Sequence, residues 1–83
     1  MVKVANPVLR IDIHRLTEQE AKEKLMETIK KAPGNIQKIV VIHGYNNGTV
    51  LSEMVRRKIH SKRIVDIIPS VGNEGETIIW LKE

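Results

Sequence analysis

Three side chains in this chain are of types suited to phosphate ester chemistry: Asp12 and His14, spaced two apart, and His43, which directly precedes Gly44. Breaking a phosphodiester requires a base for the nucleophile, an acid for the leaving oxygen and positive charge for the oxyanion that develops. Histidine serves as base or acid near neutral pH, and a nearby aspartate orients its imidazole or holds a divalent metal through water. Asp12, His14 and His43 are therefore the candidate catalytic residues, with a divalent metal the one candidate cofactor and no protein metal site defined. The run Gly44, Tyr45, Asn46, Asn47, Gly48, Thr49 is rich in residues that tolerate positive φ and leads into an apolar helical pattern. Loop amides and the positive end of that helix form a natural seat for a phosphate. Arg56, Arg57 and Lys58, followed by Lys62 and Arg63, form the densest basic cluster and a second place for phosphate contact.

Each feature also has a plainer reading. A histidine at a strand end is commonly solvated or bonded to backbone, and the glycine and asparagine run serves equally as a strand-to-helix turn. A basic run near a helix C-terminus is what solvation and the helix dipole favour, and His60 reads there as a dipole partner. The glycine run fits neither the G-x-G-x-x-G fingerprint nor a Walker A loop, whose lysine it lacks, so a nucleotide cofactor is excluded. With no cysteine and no H-E-x-x-H pair, a zinc centre is not expected.

The elements that must position these residues follow from hydropathy. Leu9 to His14 alternates apolar and polar, the mark of a strand covered on one face, with Asp12 and His14 on the other. Thr17 and Glu20 form a capping box, and Ala21, Leu25, Ile29 and Ala32, widened by Met26, make an apolar stripe that Pro33-Gly34 ends. Ile39 to Ile42 is a continuous β-branched run, as in a central strand buried on both faces. Val50, Leu51, Met54, Val55 and Ile59 share a face of a second helix predicted from Thr49 to His60. Ile64 to Ile68, closed by Pro69, is a third strand, and Thr77 to Leu81 a fourth, with Trp80 expected to pack or form an interface.

The order βαβαββ predicts an α/β domain, more closely an α+β two-layer sandwich. A right-handed crossover makes the first two strands parallel, and two helices cover one face of the four-stranded mixed sheet. Residues 1–8 read as an irregular lead and residues 9–83 as one domain. At 83 residues, with 41% hydrophobic content and no cysteine, a single core must supply the stability in a reducing, cytoplasmic setting. No apolar run is long enough for a membrane span, and a monomer or weak homo-oligomer is expected. Fourteen Lys and Arg against ten Asp and Glu leave a formal +4, which suits a polyanionic partner. Tyr45 and Trp80 are the only aromatic residues, too few for modules that stack successive bases.

Ile11-Asp12-Ile13-His14, then Val41-Ile42-His43-Gly44 with Gly48, then Gly72, Gly75 and Thr77 before an apolar strand, together resemble the small MutS-related (Smr) domain family. That family carries an L-D-x-H-G element, an I-H-G-x-G-x-G loop and a glycine-rich loop ahead of its last strand. The resemblance spans Leu9 to Leu81. It implies a sheet similar to the C-terminal domain of translation initiation factor 3, an antiparallel last strand, and binding of DNA or RNA that in several members includes endonuclease activity. It also places Gly72 and Gly75 beside the loop Gly44 to Thr49 as nucleic-acid contacts. Arg15 stands where the first motif has glycine, Tyr45 and Asn46 replace the loop's usual lysine and glycine, and Leu51-Ser52 stand where an arginine often follows.

Three functions follow as alternatives: a nucleic-acid-binding domain that cleaves phosphodiester bonds, a non-catalytic nucleic-acid or ribosome-binding module, and a protein-interaction domain using the uncovered sheet face. Cleavage, salt-dependent binding without cleavage, and salt-insensitive self-association distinguish them.

Overall fold

The structure, a computed structural model, describes residues 8–44 and 50–82. Six elements follow the expected order: β1 (Val8–Asp12), α1 (Glu18–Lys31), β2 (Lys38–Ile42), α2 (Val50–Arg57), β3 (Ile64–Pro69) and β4 (Glu76–Leu81). The strand order in the sheet is β1-β2-β4-β3. β1 and β2 are parallel, while β4 runs antiparallel to both β2 and β3.

Alternation sets the two faces of this sheet. Ile11 and Ile13 from the first strand segment, Ile39 and Val41 from β2, and Ile79 and Leu81 from β4 are buried with Ala21, Leu25 and Ile29 of α1 and Leu51, Met54 and Val55 of α2. Both helices therefore lie on one face, giving the two-layer sandwich. α1 starts where the sequence indicates: the Glu20 amide donates to the Thr17 hydroxyl at 3.2 Å, and the Glu20 carboxylate accepts from the Thr17 amide at 3.1 Å. β2 is buried on both sides, since Val40, which points away from the helices, is only 5% exposed. The opposite face is open and carries Trp80, over whose ring Lys38 Nζ stands at 5.4 Å from the centroid.

Several boundaries differ from the sequence reading. β1 begins at Val8, inside the expected irregular lead, because Val8 pairs with Lys38. It ends at Asp12, so His14 stands beyond the strand. α2 stops at Arg57, one turn short of His60, and Ile59 is buried from the connection that follows. Val50, expected on the apolar face, is 56% exposed, and Ser52 is buried instead. Pro69 lies within β3 at its last ladder position; β3 is an edge strand, where a missing amide donor is tolerated.

Candidate active site

Parallel pairing brings the C-terminal ends of β1 and β2 to one edge of the sheet, where antiparallel β4 begins. The Ile13 amide donates to the Ile42 carbonyl at 2.9 Å, which carries β1 one step further and delivers His14 to that edge. The amides of His43 and Gly44 both donate to the Gly75 carbonyl, at 2.9 and 3.0 Å. Gly44 has φ +73°, and a Cβ there would stand 3.3 Å from the Cβ of His14. A Cβ on Gly75 would stand 3.3 Å from the Cα of Gly44. His14, Gly44 and Gly75 thus pack in sequence, and the glycines at the last two positions are what permit that approach.

Asp12 and His14 form a local pair on the rim. Asp12 Oδ1 accepts from the His14 amide at 3.1 Å and from the ring at Nδ1. Because the carboxylate only accepts, Nδ1 carries the proton, and Nε2 is left as an acceptor that the Nε of Arg15 approaches at 3.2 Å. The hydrogen bonds from the His14 ring and amide hold the Asp12 carboxyl below the ordinary aspartate range. The two side chains are 53% and 42% exposed, so the pair is reachable from solvent.

His43 is differently placed, at 2% exposure. Its Nδ1 donates to the Gly44 carbonyl at 2.8 Å, which leaves Nε2 to accept from the Thr77 hydroxyl, also at 2.8 Å. The Thr77 oxygen in turn accepts from the Nε of Arg56 at 3.4 Å. Both imidazole nitrogens are therefore spent inside the protein. His43 ties the end of β2 to the start of β4, and of the two histidines at this edge His14 is the one that faces solvent. Thr77 is wholly buried; the sequence marks it as part of the glycine-rich motif and the start of a strand, not as a partner of His43. Its signal was a polar residue at a position the alternation of β4 assigns to the apolar face.

The remaining sequence candidates separate into groups. Arg56 reaches the edge through Thr77, and Arg57 is exposed at the end of α2. Gly72, with φ +79°, lies in the β3–β4 turn and has nothing within 4 Å of where a Cβ would be. Lys62 and Arg63 sit at the other end of the sheet, before β3, where Arg63 donates to the Ile29 and Ala32 carbonyls at 2.7 Å each and to the Pro33 carbonyl at 3.4 Å. That guanidinium closes the C-terminal end of α1, whose last carbonyls lack helical partners. The loop candidates Tyr45, Asn46, Asn47, Gly48 and Thr49 lie outside the described residues, as does the predicted helix start at Thr49. Among the described residues no group of three or more His, Asp or Glu converges as metal ligands. A divalent ion at this edge would rest on Asp12, one of whose oxygens His14 already occupies.

A family model for the Smr domain matches residues 11–82, and the chain belongs to that family. Among solved structures, it is similar to the Smr domain of Thermus thermophilus MutS2, with a TM-score of 0.73 and 22% identity, covering 90% of this chain and 99% of that one. The likeness extends to the whole fold. No curated protein matches the chain. Among the described residues no helix is long and apolar enough to cross a membrane.

Proposed function

We propose that this Smr domain binds DNA or RNA in the cytoplasm, and that the edge formed by Asp12, His14, Gly44 and Gly75 engages a phosphodiester for cleavage. The observation that carries this reading is the solvent-facing Asp12–His14 pair, with its proton on Nδ1 and an acceptor at Nε2. In the reaction, Arg15 turns from His14 Nε2 to the phosphate, and the freed Nε2 removes a proton from the attacking water as its oxygen bonds to phosphorus. Asp12 stabilises the imidazolium that results, which then returns the proton to the leaving oxygen as the phosphorus–oxygen bond breaks. Arg15 and Arg56 supply positive charge for the phosphorane oxygens. His43 acts as a positioning residue that holds Gly44 and Thr77 in register.

Nuclease assays on single-stranded DNA, branched DNA and structured RNA, with and without divalent metal, test the reading. His14→Ala and Asp12→Asn should each lower single-turnover cleavage by roughly 10²-fold or more while changing binding little. The burial of His43, which leaves His14 as the single solvent-facing histidine at this edge, favours as second reading a non-catalytic binding module. Salt-dependent binding by a folded wild-type protein that cleaves none of these substrates would establish that alternative.

A further inference from the structure

The positive charge of this chain is not concentrated where the candidate chemistry is. Near the Asp12–His14 edge, Arg10, Arg15 and Arg56 are offset by Asp12, Glu74 and Glu76, and Arg10 lies 3.8 Å from Glu76. At the other end of the sheet, a groove of about 590 Å³ runs between the last turns of α1 and the connection from α2 to β3. Its walls carry Lys30, Lys31, Lys62 and Arg63, with His60, against the single carboxylate of Glu27. Glu27 is engaged with Lys31 at 3.2 Å. Lys30 and Lys62 form no salt bridge among the described residues.

A groove beside a helix C-terminus would ordinarily repel an anion, because the unpaired carbonyls there carry partial negative charge. Here Arg63 covers two of those carbonyls, Ile29 and Ala32, and reaches the Pro33 carbonyl just beyond them. The charge of Lys30 and Lys62 is thereby left for a ligand, with Lys31 beside them shared with Glu27. Lys62 is presented by a turn in which the Arg63 amide donates to the Ser61 hydroxyl at 3.1 Å and the Ile64 amide to the Ser61 carbonyl at 3.1 Å. This holds the lysine on a ridge, with a second groove on its other side that shares His60 and Ser61.

We infer that this groove is a second phosphate-binding site, at which Lys30, Lys31 and Lys62 grip the backbone of the same nucleic acid that the Asp12–His14 edge engages. The inference rests on the proposed function and adds to it a two-point contact. β2 separates the two ends by five residues, about 17 Å at ~3.3 Å per residue. That is roughly five phosphate steps along one strand of a helical nucleic acid. The substrate is thus an extended or duplex segment rather than a dinucleotide.

The experiment is an NMR titration of the wild-type protein with a duplex of roughly 12 base pairs and with a dinucleotide, joined to salt-dependent binding of Lys30→Gln/Lys62→Gln. With the duplex, amides at Lys30, Lys31 and Lys62 should shift together with those at His14, Gly44 and Gly75; the dinucleotide should leave the lysines unmoved. The double variant should keep the wild-type melting temperature, bind the duplex about tenfold or more weakly at low salt, and show a log–log salt slope shallower by about 1.4–1.8. Shifts confined to the His14 edge, or a variant that binds as wild type does, would overturn the second site and leave the proposed function standing. Absence of any binding to DNA or RNA would overturn both.

Discussion

The hydroxyl of Thr77 and the imidazole of His43 meet at 2.8 Å inside the protein, 34 residues apart in the chain. The other ring nitrogen meets the Gly44 carbonyl, which only accepts, so the neutral imidazole carries its proton on Nδ1 and takes the Thr77 hydroxyl proton at Nε2. The candidate catalytic histidine that precedes Gly44 is thus a buried brace.

Replacing Thr77 by Val removes the hydroxyl that His43 Nε2 meets in a buried site. Stability should fall by about 1–3 kcal/mol, the cost of an unsatisfied buried acceptor. Thr77→Ser, which restores the hydroxyl, should recover most of the loss. Urea denaturation reads the stability, and nitrogen-15 spectra of the His43 ring read the proton, which belongs on Nδ1 in the wild type. A proton found on Nε2 would contradict the bonding pattern.

Gly44→Ala and Gly72→Ala separate backbone strain from crowding. Both glycines have positive φ, and each substitution incurs about 1–2 kcal/mol for placing a side chain in that region. Only at Gly44 does the new methyl also press on His14, at 3.3 Å. Gly44→Ala should therefore be the more destabilising of the two and should alone displace the His14 resonances. Equal effects on His14 would show that the two chain segments do not pack as described.

Arg63→Ala removes two bonds to the end of α1 and one to Pro33 just beyond it. We expect a loss of about 1–3 kcal/mol in urea melts, with faster hydrogen exchange concentrated at the last turn of α1. The exposed Arg57→Ala should leave stability within about 0.5 kcal/mol. If Arg63→Ala melts like the wild type, its role at the helix end is misassigned.

The pH dependence of Asp12 has a definite sign. Its carboxyl is held low in the folded protein chiefly by the His14 ring, then by the His14 amide. A folded value below the unfolded one means that the contact stabilises fully above about pH 4 and that its contribution vanishes as pH falls through the lowered value. Exposure to solvent keeps the effect small. In His14→Ala the Asp12 carboxyl, followed by carbon-13 NMR, should titrate closer to the ordinary aspartate range. An unchanged titration would remove His14 as the cause.

Much of this arrangement follows from local pattern. The Thr17–Glu20 box begins α1, the run Ile39 to Ile42 becomes the innermost strand, and the meeting of His14 with Gly44 follows once parallel pairing aligns two strand ends. The division of labour between the histidines does not follow, because hydropathy says which face a residue takes but not which distant hydroxyl awaits it. His43 and Thr77 find each other only through the insertion of β4 between β2 and β3. For the same reason Arg63, which looks in sequence like one more cation of a basic run, acts on carbonyls about thirty residues earlier.

The carbonyl of Gly75 accepts from both His43 and Gly44, and β4 is the last element of the sheet. On a ribosome, this chain therefore exposes its Asp12 and His14 residues long before their surroundings can assemble. Until the residues from Gly75 onward have emerged, β2 has an open edge, β3 has no neighbour to pair with, and the His43 ring lacks its outer partner. A stalled product ending before Gly75 would hold Asp12, His14 and His43 without the Gly75 and Thr77 contacts that order this edge, so the emergence of β4 is the step that completes it.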